Sequence, residues 1–174
     1  MNNLSFQSQD CEITLSDGLE EYRAYLRANG KKQLTDAPGS QVIRDHDATH
    51  VIFGLDTSIE QESMLDSWVL SATSWKLKQL LAYNQLPELK QLTKDFRKDP
   101  GYLRLILTAV KLIPIKLKIW KRSKQMNKKW PFASPDHLMD QRICDLRKEY
   151  GIKILTPDER KVKKPLIWSG TIKN

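Results

Sequence analysis

Arg44-Asp45-His46-Asp47-Ala48-Thr49-His50-Val51-Ile52-Phe53-Gly54 reads as a helix followed by the residue that stops it. Two of the three histidines fall here, four residues apart. Positions i and i+4 of an α-helix lie one above the other on one face. Asp47, three residues before His50, reaches the edge of the same patch. Gly54 suits a left-handed cap. Ser58, with Gln61 three residues on, forms a capping box that opens the next helix. Glu62, twelve residues past His50, then falls in the first turns of that helix. The short connection lets it fold back and aim a carboxylate at the imidazole pair.

The rest of the chain also reads as helices. The first spans about Asp17 to Ala28, with Ser16 as its cap and Asn29-Gly30 as its stop. Residues 31–40, with Pro38-Gly39, read as a loop before the motif helix of about Gln41 to Phe53. The next runs from about Ile59 to Tyr83 on an apolar face that includes Met64, Leu65, Trp68 and Trp75. Pro87 suits a first helical position ahead of Glu88 to Arg97. Asp99-Pro100 starts a long helix to about Met126, which Pro114 should kink or divide, and Ser134-Pro135 opens the last, ending at Tyr150-Gly151. No segment alternates with period two over enough length for a sheet. The expectation is a single all-α domain over residues 1–174, about six helices packed antiparallel, with residues 1–14 and 153–174 as irregular tails.

Composition agrees with one domain able to bury its own core. Hydrophobic residues make up 40% and charged residues 29%. No run approaches the roughly 18 apolar residues of a membrane span, and Met1-Asn2-Asn3-Leu4-Ser5 does not begin like a signal peptide. Cys11 and Cys144 form no Cys-x-x-Cys pair and read as packing residues in a reducing compartment. Charge is uneven. Residues 1–100 hold 11 Lys+Arg against 15 Asp+Glu, and residues 101–174 hold 18 against 6. The C-terminal part should therefore attract polyanions.

His46, Asp47, His50 and Glu62 form a sufficient donor set for a divalent metal. Zinc is the first expectation, with iron, manganese and magnesium as other ions that such donors accept. Paired imidazoles and a first-turn Asp also arise without a metal, so convergence of the side chains decides. The zinc-protease pattern His-Glu-x-x-His places its general base where this chain has the shorter Asp47. Phosphohydrolases of the His-Asp class need a further histidine upstream, and none precedes His46. His137, near the start of the last helix, reads as a surface residue outside the set.

The pattern His-Asp-x-x-His, eleven residues and then Glu resembles the signature of the Coq-four family of ubiquinone-biosynthesis proteins. Arg44 through Gly54 is similar to that family's Arg-Glu-x-His-Asp-x-x-His-x-x-x-Gly segment, with one residue fewer between Arg and His. Leu19, Tyr22 and Leu26 resemble its upstream helix. Leu146-Arg147-Lys148-Glu149-Tyr150-Gly151-Ile152 resembles its Leu-Arg-x-x-x-Gly-Ile ending, so the likeness spans residues 15–157. Two departures stand out: less helix precedes the motif, and Gln61 replaces the family's Gly before the Glu. The resemblance implies a ubiquinone-biosynthesis protein that binds metal and prenyl lipid. It would act on or organise polyprenyl-benzoate intermediates, with oxidative decarboxylation at C1 of the ring as the associated chemistry. The alternatives are a lipid-binding scaffold with a structural metal, and a metal-dependent hydrolase. Implied partners are a prenylated quinone precursor or other isoprenoid lipid, other ubiquinone-biosynthesis proteins and a second copy in a homodimer. The implied location is cytoplasmic, peripheral on the inner face of the membrane.

Residues 103–129 carry the second pattern. Leu103, Ile106, Leu107, Val110, Ile113, Leu117 and Trp120 recur at three- and four-residue steps. Lys111, Lys116, Lys118, Lys121, Arg122 and Lys124 crowd around them. With Trp120 these cations read as a tentative docking surface for an anionic membrane, beside the plainer reading of a core helix with a basic outer side. Nucleic acid is not the expected partner, because the chain has no zinc-finger spacing, no RNP-like strand and no helix-turn-helix with a short Gly turn.

Overall fold

The computed structural model describes residues 4–31, 36, 41–76, 94, 101–134, 136–163, 165 and 166. Over these residues the chain is all-α: seven α-helices, two 3-10 turns and no strand beyond two isolated bridges. The helices are α1 (Leu15–Ala28), α2 (Val42–Phe53), α3 (Ile59–Ala72), α4 (Tyr102–Lys111), α5 (Ile113–Ser123), α6 (Ile143–Tyr150) and α7 (Pro157–Arg160). The 3-10 turns are Ser5–Gln7 and Asp136–Leu138.

α2 sits at the centre, packed against α1, α3 and the first 3-10 turn, while α3 makes its most extensive contact with α5. Most of α2 is buried, from Ala48 through Phe53 without a break. The Phe53 ring stacks on Trp68 of α3, with centroids 4.8 Å apart. Gly18 lets α1 approach α2 closely: an added Cβ would stand 2.6 Å from Val51 Cγ1 and 2.9 Å from Ile143 Cδ1.

α2 and the start of α3 form as their local residues dictate. Gly54 takes φ 69°, and Leu55 N–H returns to the His50 carbonyl at 2.9 Å, which closes the end of α2. Ser58 accepts from Gln61 N–H to open α3, but the reciprocal half of the expected box is replaced by Asp56, which takes both the Gln61 side chain and the Ser58 N–H. The N-terminal donors of α2 are met from a distance, by the Asp36 carboxylate on the N–H groups of Ile43 and Arg44.

Elsewhere tertiary contacts redraw the expected elements. α1 is capped by Thr14 rather than Ser16, through a reciprocal box with Asp17. α3 ends at Ala72, because Thr73 turns extended and the Ala72 carbonyl accepts Trp130 N–H at 2.9 Å. Residues 77–93, over which that helix and its successor were expected to run, lie outside the described residues. Pro114 divides the long helix into α4 and α5, since it offers no N–H to the preceding turn. The last expected helix is interrupted between the second 3-10 turn and α6. There the Met139 and Gln141 carbonyls accept from Ser16 and Leu15, and Ile143 and Cys144 donate to Ile13 and Cys11.

The described parts of the two expected tails join the core. Phe6, Ile154 and Leu155 are buried, and α7 opens with its own Thr156–Glu159 capping box. Arg147 of α6 joins the N-terminal segment to the end of α2. Its guanidinium is fully buried and donates to the carbonyls of Phe6 (2.6 Å), Val51 (3.0 Å), Ile52 (2.9 Å) and Ser8.

Candidate metal centre

One turn of α2 and the first turn of α3 bring His46, His50 and Glu62 together. One ligand-capable atom from each lies within 4.8 Å of the others. The two imidazoles meet edge to face with centroids 4.9 Å apart. His50 Nε2 stands 3.4 Å from Glu62 Oε1. Glu62 lies at the mouth, its side chain still 40% exposed, whereas His50 is fully buried.

The end of α2 sets the state of His50. Its Nδ1 lies 3.2 Å from the Leu55 carbonyl, an acceptor only, so this nitrogen carries the proton and the Nε2 lone pair faces Glu62. A backbone carbonyl on the far ring nitrogen is the usual way that a metal-binding histidine is oriented. Tyr22 of α1 stacks on the ring at 4.8 Å and fixes its plane. Among the described residues, Nε2 is buried without a hydrogen-bond partner. An orphaned imidazole nitrogen aimed at a carboxylate and a second imidazole fits a divalent ion.

The electrostatics favour ligation by the histidines. Burial lowers His46 to about 4, and burial, with the repulsion that a second proton beside His46 would meet, lowers His50 well below its ordinary value, so both are neutral at neutral pH. Desolvation by the surrounding protein and then the Asp66 carboxylate raise Glu62 to about 8, opposed by Lys31. A cation at this spot would reverse that shift and hold Glu62 ionised. Ligand atoms about 2.1 Å from one ion at tetrahedral angles stand about 3.4 Å apart, so ligand atoms spread over as much as 4.8 Å must close by roughly an ångström or more.

Asp47 does not join the triad. It is buried beside it and faces Arg23 of α1, Nε to Oδ2 at 3.5 Å. Burial raises Asp47 to about 7, against the pull of Arg23. At helical spacing, Asp47 is rotated from His46 by about 100°, which carries its carboxylate toward α1 rather than α3. His137 is exposed in the second 3-10 turn, away from the triad, as its sequence position suggested. The contributions of Tyr22, Arg23 and the Leu55 carbonyl have no signature in the motif, since each acts through a tertiary contact or a backbone atom.

The expected basic surface is regrouped by the fold. Lys118 and Arg122 both bind Glu159 of α7, at 2.8 Å and 3.0 Å, and Lys116 is half-buried near Asp66. Lys111, Trp120, Lys121 and Lys124 are exposed. Among the described residues no helix is long and apolar enough to cross a membrane.

Comparison with family profiles, with characterised proteins and with solved structures gives no match. The functional reading therefore stands on the residues of the site.

Proposed function

We propose that this chain is a metal-binding protein of the Coq-four type that serves ubiquinone biosynthesis by engaging a polyprenyl-benzoate intermediate. The observation that carries the reading is the convergence of His46, His50 and Glu62 with His50 Nε2 buried and orphaned. The spacing of these residues, and the flanking Arg44, Gly54 and Leu146-Arg147 segments, supply the family resemblance.

Two imidazoles and one carboxylate are a composition used by catalytic zinc, which keeps a fourth position for water or substrate. Nitrogen donors favour zinc, iron or manganese over magnesium. When bound, a divalent ion would supply Lewis acidity toward a carboxylate or phenolate oxygen of the substrate ring. The protein's own part is positional. Leu55 and Tyr22 hold His50 in one tautomer and one plane. Glu62, at the mouth, is the ligand nearest an entering ring. Arg23, itself about a third exposed, faces Asp47 beside the triad at 3.5 Å and thereby keeps that carboxyl off the metal ligands. Oxidative loss of the ring carboxylate at C1 as CO2, with a two-electron oxidant drawn from outside the protein, is the reaction proposed for the site. The isoprenoid tail would remain in lipid, with the protein on the cytoplasmic side of the membrane beside other enzymes of the pathway. An open position separates this reading from a scaffold whose metal is closed by four protein ligands.

The test is native purification with elemental analysis and lipid extraction, followed by complementation of a ubiquinone-deficient strain. The expected result is about one transition-metal ion per chain, lost in His46→Ala and Glu62→Gln, and loss of ubiquinone with retained fold in the same variants. A His50→Ala variant that folds and restores full ubiquinone levels would refute the metal reading.

A further inference from the structure

α5 has two apolar faces, and among the described residues one of them packs into the core. Leu112 and Ile119 are buried and Ile115 packs against the core, at steps of three and four residues. Ile113, Leu117 and Trp120 form a second row, offset by one or two residues and so turned roughly 100° or more around the helix. This row continues into α4, which buries none of its residues and exposes Leu103, Ile106 and Val110. Exposure along the row runs from 49% to 70%. Scattered single apolar residues need no explanation, but a continuous row over two successive helices marks an interaction surface.

The charges around the row narrow the partner. From residue 101 to residue 135 the chain holds nine Lys+Arg and no Asp or Glu. Lys118 and Arg122 share the single carboxylate of Glu159, which offsets one of their two charges. Arg104, Lys111, Lys121 and Lys124 are exposed, with Lys124 Nζ lying 5.3 Å from the Trp120 ring centre. A second copy is a poor occupant, because a two-fold contact sets the same patch against itself and would bring both sets of cations together. Nucleic acid would use the cations but leave the aliphatic row in water. A surface that is anionic outside and apolar beneath satisfies both.

We infer that the exposed face of α4 and α5, from Leu103 to Trp120, docks flat on an anionic lipid bilayer, with the apolar row in the acyl boundary and Arg104, Lys111, Lys121 and Lys124 on the headgroups. Trp120 takes the headgroup level, where indole rings favour the mixed environment. The inference does not depend on the metal reading, and its failure would leave that reading intact.

The experiment is vesicle co-sedimentation of the full chain, with phosphatidylglycerol vesicles set against phosphatidylcholine vesicles. Wild type should bind the first, lose that binding as salt rises, and bind the second far more weakly. Lys111→Glu/Lys121→Glu/Lys124→Glu should lower the partition coefficient by about a hundredfold or more. Leu117→Ser/Trp120→Ser should also release the protein, with an unchanged melting temperature because neither side chain is in the core. The proposal is overturned if wild type stays in the supernatant with phosphatidylglycerol, or if both variants bind as wild type does. It is equally overturned if sedimentation shows a dimer that Leu117→Ser/Trp120→Ser dissolves, since a second copy then covers the face.

Discussion

Replacing Arg147 by Met removes a buried cation whose hydrogen bonds all go to backbone carbonyls, not to a carboxylate. Two effects oppose each other. Burial of the guanidinium is unfavourable, as its lowering to about 10 records, and an apolar side chain of similar length relieves that. Against this, the carbonyls of Phe6, Ser8, Val51 and Ile52 lose their charged donor. Val51 keeps the Gly54 N–H at 3.2 Å, and the Ser8 end is only partly buried. Taking about 1 kcal/mol for each of the Phe6 and Ile52 carbonyls, the low end of the range for stripped buried groups, gives a loss of about 2 kcal/mol before the relief of burial is subtracted. For a domain of this size that lowers the melting temperature by about 6 °C or less. Arg147→Lys should do no better, because it keeps the charge buried while losing the planar fork that reaches several carbonyls at once. The assay is thermal and urea unfolding followed by circular dichroism. Some buried charges are replaced by apolar residues with a gain in stability. A higher melting temperature for Arg147→Met would place this residue among them and refute the carbonyl argument.

Gly18→Ala should destabilise by about 1–2 kcal/mol, since overpacking against β-branched Val51 outweighs the better helix propensity of Ala; an unchanged urea midpoint would show that Val51 and Ile143 can yield. Gly54→Ala combines a left-handed φ of 69° with a Cβ placed 2.9 Å from Ile154 Cδ1, so both stability and zinc affinity should fall, read by calorimetry at matched fold content. Acid stability should depend on Glu159. Burial raises its carboxyl, but bonds from Lys118, Thr156 and Arg122 outweigh that and hold it at about 2, against an ordinary 4.5. A depressed carboxylate stabilises the fold above pH 4.5 and loses that contribution as pH falls toward about 2. Allowing for screening at the half-exposed Lys118, this amounts to about 2 kcal/mol. Glu159→Gln should therefore flatten the stability profile across that window, and a profile like that of wild type would reject the assignment.

What the sequence made legible was local. His46, His50, Gly54, Ser58 and Glu62 are linked by helical spacing and capping chemistry, so the α2–α3 turn and the convergence at its mouth could be read from one short stretch. Pro114 marked the break between α4 and α5 for the same reason. Asp47 was assigned to the metal on proximity in sequence, and the fold instead sets it on Arg23, from a helix that spacing alone does not orient. The early end of α3 and the interruption before α6 arise where backbone groups pair with segments far away, Trp130 in one case and residues 11–16 in the other. No residue type signals such pairing. The amphipathic pattern from Leu103 to Trp120 was visible, but which of its two apolar rows meets the core was not, because either can pack on a neighbour.

The His50 turn is completed by a residue that lies 95 positions from Ile52 in the chain. During synthesis α2 and α3 emerge long before Arg147 does, so the carbonyls at the end of α2 wait in water while the intervening chain is made. A nascent chain cut short before α6 would hold both histidines and Glu62 yet lack the guanidinium that ties this end of α2 to the N-terminal turn. Emergence of α6, rather than the appearance of the motif itself, is then the event that completes the end of α2.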